Sequence, residues 1–378
     1  MAEPKKPITR TPEELEKRRI VGINAETVTD VTSTDFPGHW PGEDHAWDAK
    51  KFRDSFQVKI HHLSPLESSF SLIGIDASVA NAFRRILIAE IPSLAIETVF
   101  VHNNTSIIQD EVLAGRLGLI PLKGNQRGLV DYLKWWRKPN EEEEPGSTSF
   151  DYNTIVLALK MECTLNQSAA KGETDPLKKY HHAHVYARDI EFKPFGEQAE
   201  HFSGEDAIAP TNPDILVAKL RPGQCIDVEM HAVKGFGSDH AKFSPVATAS
   251  YRLLPTIKIK KAILGGDAEK FARCFPPGVI GFDKVTKEDE KIEDAGYAGH
   301  LGEKKAVVLD TMKDTVSREC LRHEEFQGKV ELGRIRDHFI FSVESVGQWD
   351  SHDLFLEAVS GLKKKCQILK KNLANMAN

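Results

Sequence analysis

The sequence predicts a protein of mixed strands and helices, and three observations carry that prediction. Residues 56–60, Phe-Gln-Val-Lys-Ile, alternate strictly between apolar and polar, the period of a half-buried strand. Val79, Phe83, Ile86 and Leu87 fall on one stripe of a helix. From Asp353 to Met376 apolar residues recur at Phe355, Val359, Leu362, Cys366, Leu369, Leu373 and Met376, in steps of 4 and 3 that mark a heptad seam.

The elements follow in order. Residues 1–50 read as an extension, rich early in Pro, Lys, Arg and Glu with no apolar leader, and punctuated by Phe36-Pro37-Gly38-His39-Trp40-Pro41-Gly42. The alternation of 56–60 repeats at 70–72 after a turn at Ser64-Pro65. A helix is expected over about 78–91, capped by Asp76 or Ser78 and ended by Pro92. Strands are expected at 94–101, 154–161, 183–189 and 215–220. The last of these turns through Arg221-Pro222-Gly223-Gln224, where Pro then Gly suits a type II turn, into a strand at 225–233. Further strands are expected at 247–260 and 338–346, and loops at 138–149, 166–179 and 283–305. The longest apolar run, 86–96, is broken by Glu90 and Pro92 and is too short to cross a bilayer.

The terminal seam is the most informative element. It predicts a helix over 353–376 whose narrow stripe suits a facing helix, in this chain or in another. Lys363, Lys364, Lys365, Lys370 and Lys371 lie towards its C-terminal end, where positive charge suits the helix dipole. Gly361 costs about 1 kcal/mol relative to Ala inside a helix and admits close approach of another backbone.

Composition narrows the function. The formal net charge of −6 lacks the surplus of Lys and Arg that holds phosphates, so any link to nucleic acid is expected to run through partner chains. The five cysteines form no CxxC, so no zinc or iron–sulfur spacing is present, and their scatter fits a reducing compartment. Residues 234–240, Lys-Gly-Phe-Gly-Ser-Asp-His, superficially follow the pattern of a phosphate loop. The third glycine is missing, however, and Pro245 stands where the helix ought to begin, so a structural turn is expected. His323-Glu324-Glu325-Phe326-Gln327 lacks the second histidine of a zinc-protease motif. His181, His182 and His184 read as a solvated cluster, and Trp135 and Trp136 as packing. No nucleophile, base and orienting group come together, so neither an enzyme nor a cofactor is expected. The competing reading is a stand-alone enzyme using the 234–240 loop and nearby histidines.

Four segments, taken together and in order, resemble one family. They are 81–92 (NAFRRILIAEIP), 108–122 (IQDEVLAGRLGLIPL), 234–246 (KGFGSDHAKFSPV) and 341–347 (FSVESVG), the last leading into the seam. The chain is similar from about Phe52 to Leu373 to the alpha-type subunits of cellular RNA polymerases. The zinc loop of the RNA polymerase II member is absent. The region of about 265–329 has only Cys274 and Cys320, too few for the archaeal iron–sulfur module. Residues 272–280 and 314–319 resemble instead the larger alpha-like branch shared by RNA polymerases I and III. Two positions depart from the family, which usually has a histidine at Gly115 and a tryptophan at Phe243.

The resemblance implies an α+β fold, a split dimerisation domain of antiparallel sheet with helices, interrupted by a mainly β inserted domain. Residues 51–97 plus 244–378 would form the first, with a secondary insertion at 262–330, and 98–243 the second. It implies a non-catalytic scaffold that forms a heterodimer with a smaller alpha-like subunit. Val79, Phe83, Ile86, Leu87, Phe355, Val359, Leu362 and Leu369 would be the apolar contacts. Arg84 and Arg85, about 100° apart on the helix, could not both be buried by the seam, so at least one would reach the second-largest subunit. The heterodimer would then nucleate joining of the two large catalytic subunits, with small zinc-binding common subunits also in contact. No metal, membrane or direct nucleic acid is implied, and the location would be nucleus and nucleolus. The nearer alternative is an alpha-like subunit of another RNA polymerase that lacks metal loops.

Overall fold

The computed structural model describes residues 11–30, 46–126, 128–140, 143, 147–292 and 294–377. Ten strands and three helices position the features of interest. The strands are β1 (Ile20–Ile23), β2 (Val28–Thr29), β3 (Gln57–Leu63), β4 (Glu67–Ile73), β5 (Ser93–Asn104), β6 (Thr154–Glu162), β7 (Glu191–Phe192), β8 (Cys225–Gly235), β9 (Val246–Ile259) and β10 (Val330–Ser345). The helices are α1 (Ala77–Ala89), α2 (Asp110–Gly118) and α3 (Ser351–Ala377). The elements form an α+β protein of antiparallel sheets and helices, and none of the helices among the described residues is long and apolar enough to cross a membrane. The chain divides into two compact units, residues 1–60, 70–80 and 251–341 in one and 61–69, 81–250 and 342–378 in the other.

The first unit is built on a sheet of order β2-β1-β10-β4-β3, with β9 also paired to β10. β1 lies antiparallel to β10 in the register Ile20↔Ile335 to Ile23↔Leu332. Residues 20–23 and 28–29, read from sequence as part of an extension, are therefore strands of the sheet. The segment Ile20-Val21-Gly22-Ile23 is apolar enough to join a buried edge, and Ile23 packs with Leu332, Ile257 and Phe271 in one core. β10 also starts eight residues before the expected 338, at Val330. The charges of Glu331, Arg334 and Arg336 obscure the alternation, although Val330 and Leu332 are buried. Phe70 and Phe341 stack at 5.4 Å within the same unit.

The second unit holds an antiparallel sheet of order β7-β6-β8-β5. β8 is flanked on both sides, Met230 facing Val99 of β5 and Leu157 of β6. Its burial alternates, so that Ile226, Val228, Met230 and Ala232 point into the core. α2 covers that core with Leu113 and Leu117, one turn apart and fully buried. The turn before β8 forms as expected: Gln224 N–H donates to Arg221 O at 2.9 Å and Gly223 takes φ +86°.

α1 is fixed at both ends. Ser78 N–H donates to Asp76 Oδ1 at 2.8 Å, which satisfies a first-turn donor. At the other end Ser238 N–H donates to Ala89 O at 3.1 Å. A side chain on Gly237 would come within 2.2 Å of Ile88 O, and one on Gly235 within 2.6 Å of the Phe243 ring. The glycines of the 234–240 loop thus let the backbone press onto a helix end and an aromatic ring. α3 is anchored at its start, where Ser351 Oγ donates to Ser64 O at 2.7 Å and Gln348 Nε2 to Leu94 O at 2.8 Å.

Candidate protein-partner interface

The faces of α3 differ in what covers them. Ser351, Leu354 and Ala358, spaced 3 and 4, are completely buried and form the face turned to the chain's own body. Gly361 continues this line, and a Cβ there would lie 3.8 Å from Ile86 Cγ2 of α1. The heptad seam lies one position round the helix. Phe355 is half-buried and meets Phe83 of α1 at a ring separation of 5.2 Å. Leu362 is half-buried, while Val359 is 41% exposed. Beyond it Leu369, Leu373 and Met376 are 62%, 67% and 84% exposed. Every residue from Lys363 to Met376 is exposed.

On α1, Leu87 is completely buried and Ile86 nearly so by neighbours within this chain. The reason is the orientation of the helix. Ala80, Leu87 and Ile91 define its inward line, and Ile86 is covered from α3 at Gly361. Val79 is exposed and Phe83 half-buried, so these remain at the surface. Of the two arginines, Arg84 is held back on its own helix, donating from Nε and Nη2 to Asn81 Oδ1 at 3.0 and 2.9 Å, and Arg85 is exposed. The lysines of α3 are not explained by the dipole, because the last turn carries no basic residue and the dipole's influence fades within a turn. Lys365 pairs instead with Glu90 and Lys364 with Glu357, the latter at 3.5 Å.

The remaining candidate groups do not converge. His181, His182 and His184 form no joint ligand set; among the described residues the one such group is Asp350, His352 and Asp353, at the surface where α3 begins. Lys234 is spent on the backbone, its amine donating to Val130 O at 3.1 Å and Leu133 O at 2.9 Å, and burial pulls its pKa down. Trp135 meets Phe236 in a tilted ring contact at 4.5 Å and Trp136 packs against Ala95, Val233 and Phe243. Burial raises the thiols of Cys163 and Cys274 and pushes Cys320 up to about 12, so these three are poor nucleophiles. Phe243 is buried, and a side chain at Gly115 would face open space.

What the geometry presents is an exposed apolar seam on a helix anchored at its start, with Phe83 and Val79 on the helix beside it. Comparison with known proteins gives the family. Residues 69–366 match the model of the RNA polymerase Rpb3/Rpb11 dimerisation domain. The chain is 50% identical over 351 residues to the DNA-directed RNA polymerases I and III subunit RPAC1 of Saccharomyces cerevisiae, covering 93% of this chain and 97% of the relative. It is 45% identical to the human protein of the same description, over 94% of each chain. Against the DNA-directed RNA polymerase II subunit rpb3 of Dictyostelium discoideum the identity is 29%, over 78% of this chain and 87% of the relative. The chain belongs to the family of RNA polymerase subunits that carry the Rpb3/Rpb11 dimerisation domain.

Proposed function

We propose that this chain is the larger alpha-like assembly subunit shared by RNA polymerases I and III, a scaffold without catalytic residues. The observation that carries this reading is the second half of α3, an apolar seam exposed among the described residues on a helix whose other end is locked into the body. Burying a Leu, Val or Phe contributes roughly 1.5–3 kcal/mol, so Phe355, Val359, Leu362, Leu369 and Leu373 together suffice for a stable interface. The occupant is the matching helix of a smaller alpha-like subunit, in a pseudo-symmetric heterodimer. Arg85, exposed on α1, is the arginine that contacts the second-largest subunit in this reading. The heterodimer then nucleates joining of the two large catalytic subunits, which hold the metal and the nucleic acid, with small zinc-binding subunits completing the platform. The site of action is the nucleus, including the nucleolus where ribosomal RNA is made. Residues 51–97 with 244–378 serve as the dimerisation part and 98–243 as the inserted part. The gap between 45–50% and 29% identity supports polymerases I and III over polymerase II.

Affinity purification of the full chain tests the reading. The large subunits of polymerases I and III should both be recovered, together with a smaller alpha-like chain, and Leu362→Asp should strip that chain because a carboxylate would be buried without a partner. Recovery of the polymerase II large subunits alone would refute the assignment.

A further inference from the structure

α3 has a second flank. At roughly 100° per residue, Phe355 and Leu362 lie about 80–100° to one side of the buried Leu354, on the seam, while Asp353, Glu357 and Lys364 lie about 60–100° to the other. A helix occupying the seam leaves this flank open, and two cavities run along it. The first, of about 410 Å³, lies between the start of α3 and a single wide helical turn at Gly128–Tyr132, and is lined by Val130, Asp131, Trp349, Asp353, Leu356 and Glu357 among others. The second, of about 330 Å³, is floored by Ile86, Ala89, Ile91 and Phe236 and reaches α3 at Gly361. Glu357 lines both, so the two adjoin along α3 and are taken together as one trough.

We infer that this trough is a second docking surface, fitted to a basic segment of another chain that carries a large apolar side chain. The charge sets the polarity of the occupant: Asp131, Asp353 and Glu357 line the first cavity, while Lys364, paired with Glu357, and Lys365, paired with Glu90, lie along the second. Leu356, 63% exposed, lines the same cavity. Trp349, more than nine-tenths buried, closes the same wall. Gly361 marks the apolar end. The packing of α1 on α3 does not require a glycine, since a Cβ at this position would make an ordinary contact of 3.8 Å with Ile86. An alanine would suit the helix better. The missing side chain therefore opens the groove rather than the helix–helix contact. The wide turn at 128–132 fits the same picture, since such turns concentrate at functional sites.

This inference rests on the seam being taken by the smaller alpha-like subunit only in that the two surfaces hold different chains. The test uses the full chain in the affinity-purified polymerase, with a photo-cross-linking amino acid in place of Leu356 and, separately, of Leu369. The Leu356 probe should mark a chain other than the one marked from Leu369, at a segment with Lys or Arg within a few residues of a large apolar side chain. Asp131→Lys combined with Asp353→Lys, and independently Gly361→Met, should deplete that chain at least tenfold and leave the Leu369 partner at normal yield. Both probes marking one chain, the Leu356 probe marking an acidic segment or nothing, or full retention in the variants would overturn the inference. Should Gly361→Met unfold the chain by thermal melting, the doubly charge-reversed variant, altered only at the surface, decides. Loss of the Leu369 mark alone, with the Leu356 mark intact, counts against the seam and not against this trough.

Discussion

Leu87 and Leu369 are the same side chain on two helices, yet their burial assigns them opposite work. Leu87 is fully enclosed, so Leu87→Ala leaves a cavity and should cost about 2–5 kcal/mol in a denaturant melt of the isolated chain. Leu369 touches little of its own chain, so Leu369→Asp should change that melt by no more than about 0.5 kcal/mol while abolishing co-elution with the smaller subunit. Gly361→Ala should raise stability by about 0.5–1 kcal/mol, because the helix gains and Ile86 is only touched. Asp76 adds a pH dependence. Its hydrogen bond to Ser78 holds the carboxyl below its ordinary value, so its stabilisation is complete above the unfolded value near 4 and is lost as pH falls through the folded one. Asp76→Ala should therefore cost about 0.5–2 kcal/mol at neutral pH and flatten the acid limb of the stability profile, read by urea melts across the pH range.

Among the elements, α3 shows how far periodicity reaches. The steps of 4 and 3 place a helix over 353–376, and the helix runs from Ser351 to Ala377. Periodicity finds a stripe without saying which neighbour covers it. The inward face proved to be Ser351, Leu354 and Ala358, small residues and one leucine that draw little notice beside Phe355 and Leu362. The same limit affects α1, where Ile86 and Leu87 belong to the stripe but are covered inside the chain. β1 and the first half of β10 escaped notice for a different reason. Each is recognisable only once the other is in place, because their pairing is separated by some 300 residues and charged residues obscure the alternation of β10. Local signals such as the Pro-Gly turn at 221–224 and the cap at Asp76 needed no tertiary partner, and both formed as expected.

At the scale of the whole molecule, the sequence disclosed the family through four separated segments rather than through any reactive constellation. The structure shows why those segments stand out. The 81–92 stretch builds α1, the 234–240 loop presses on its end, and 341–347 leads into α3. All three support one surface. The trough on the other flank of α3 was not legible, since it joins residues from 126–131, 236–238 and 349–365 that only the fold brings together. The account's central claim is that a second polypeptide covers the seam, and Cys366 reports on it directly. This thiol sits on the seam and is exposed, while Cys163, Cys274 and Cys320 are buried. Maleimide labelling of the chain, followed by peptide mass spectrometry, should modify Cys366 readily in the free protein and at least tenfold more slowly within the purified polymerase. Equal labelling of Cys366 in both forms would contradict the claim, because the seam would then stand open to solvent after assembly.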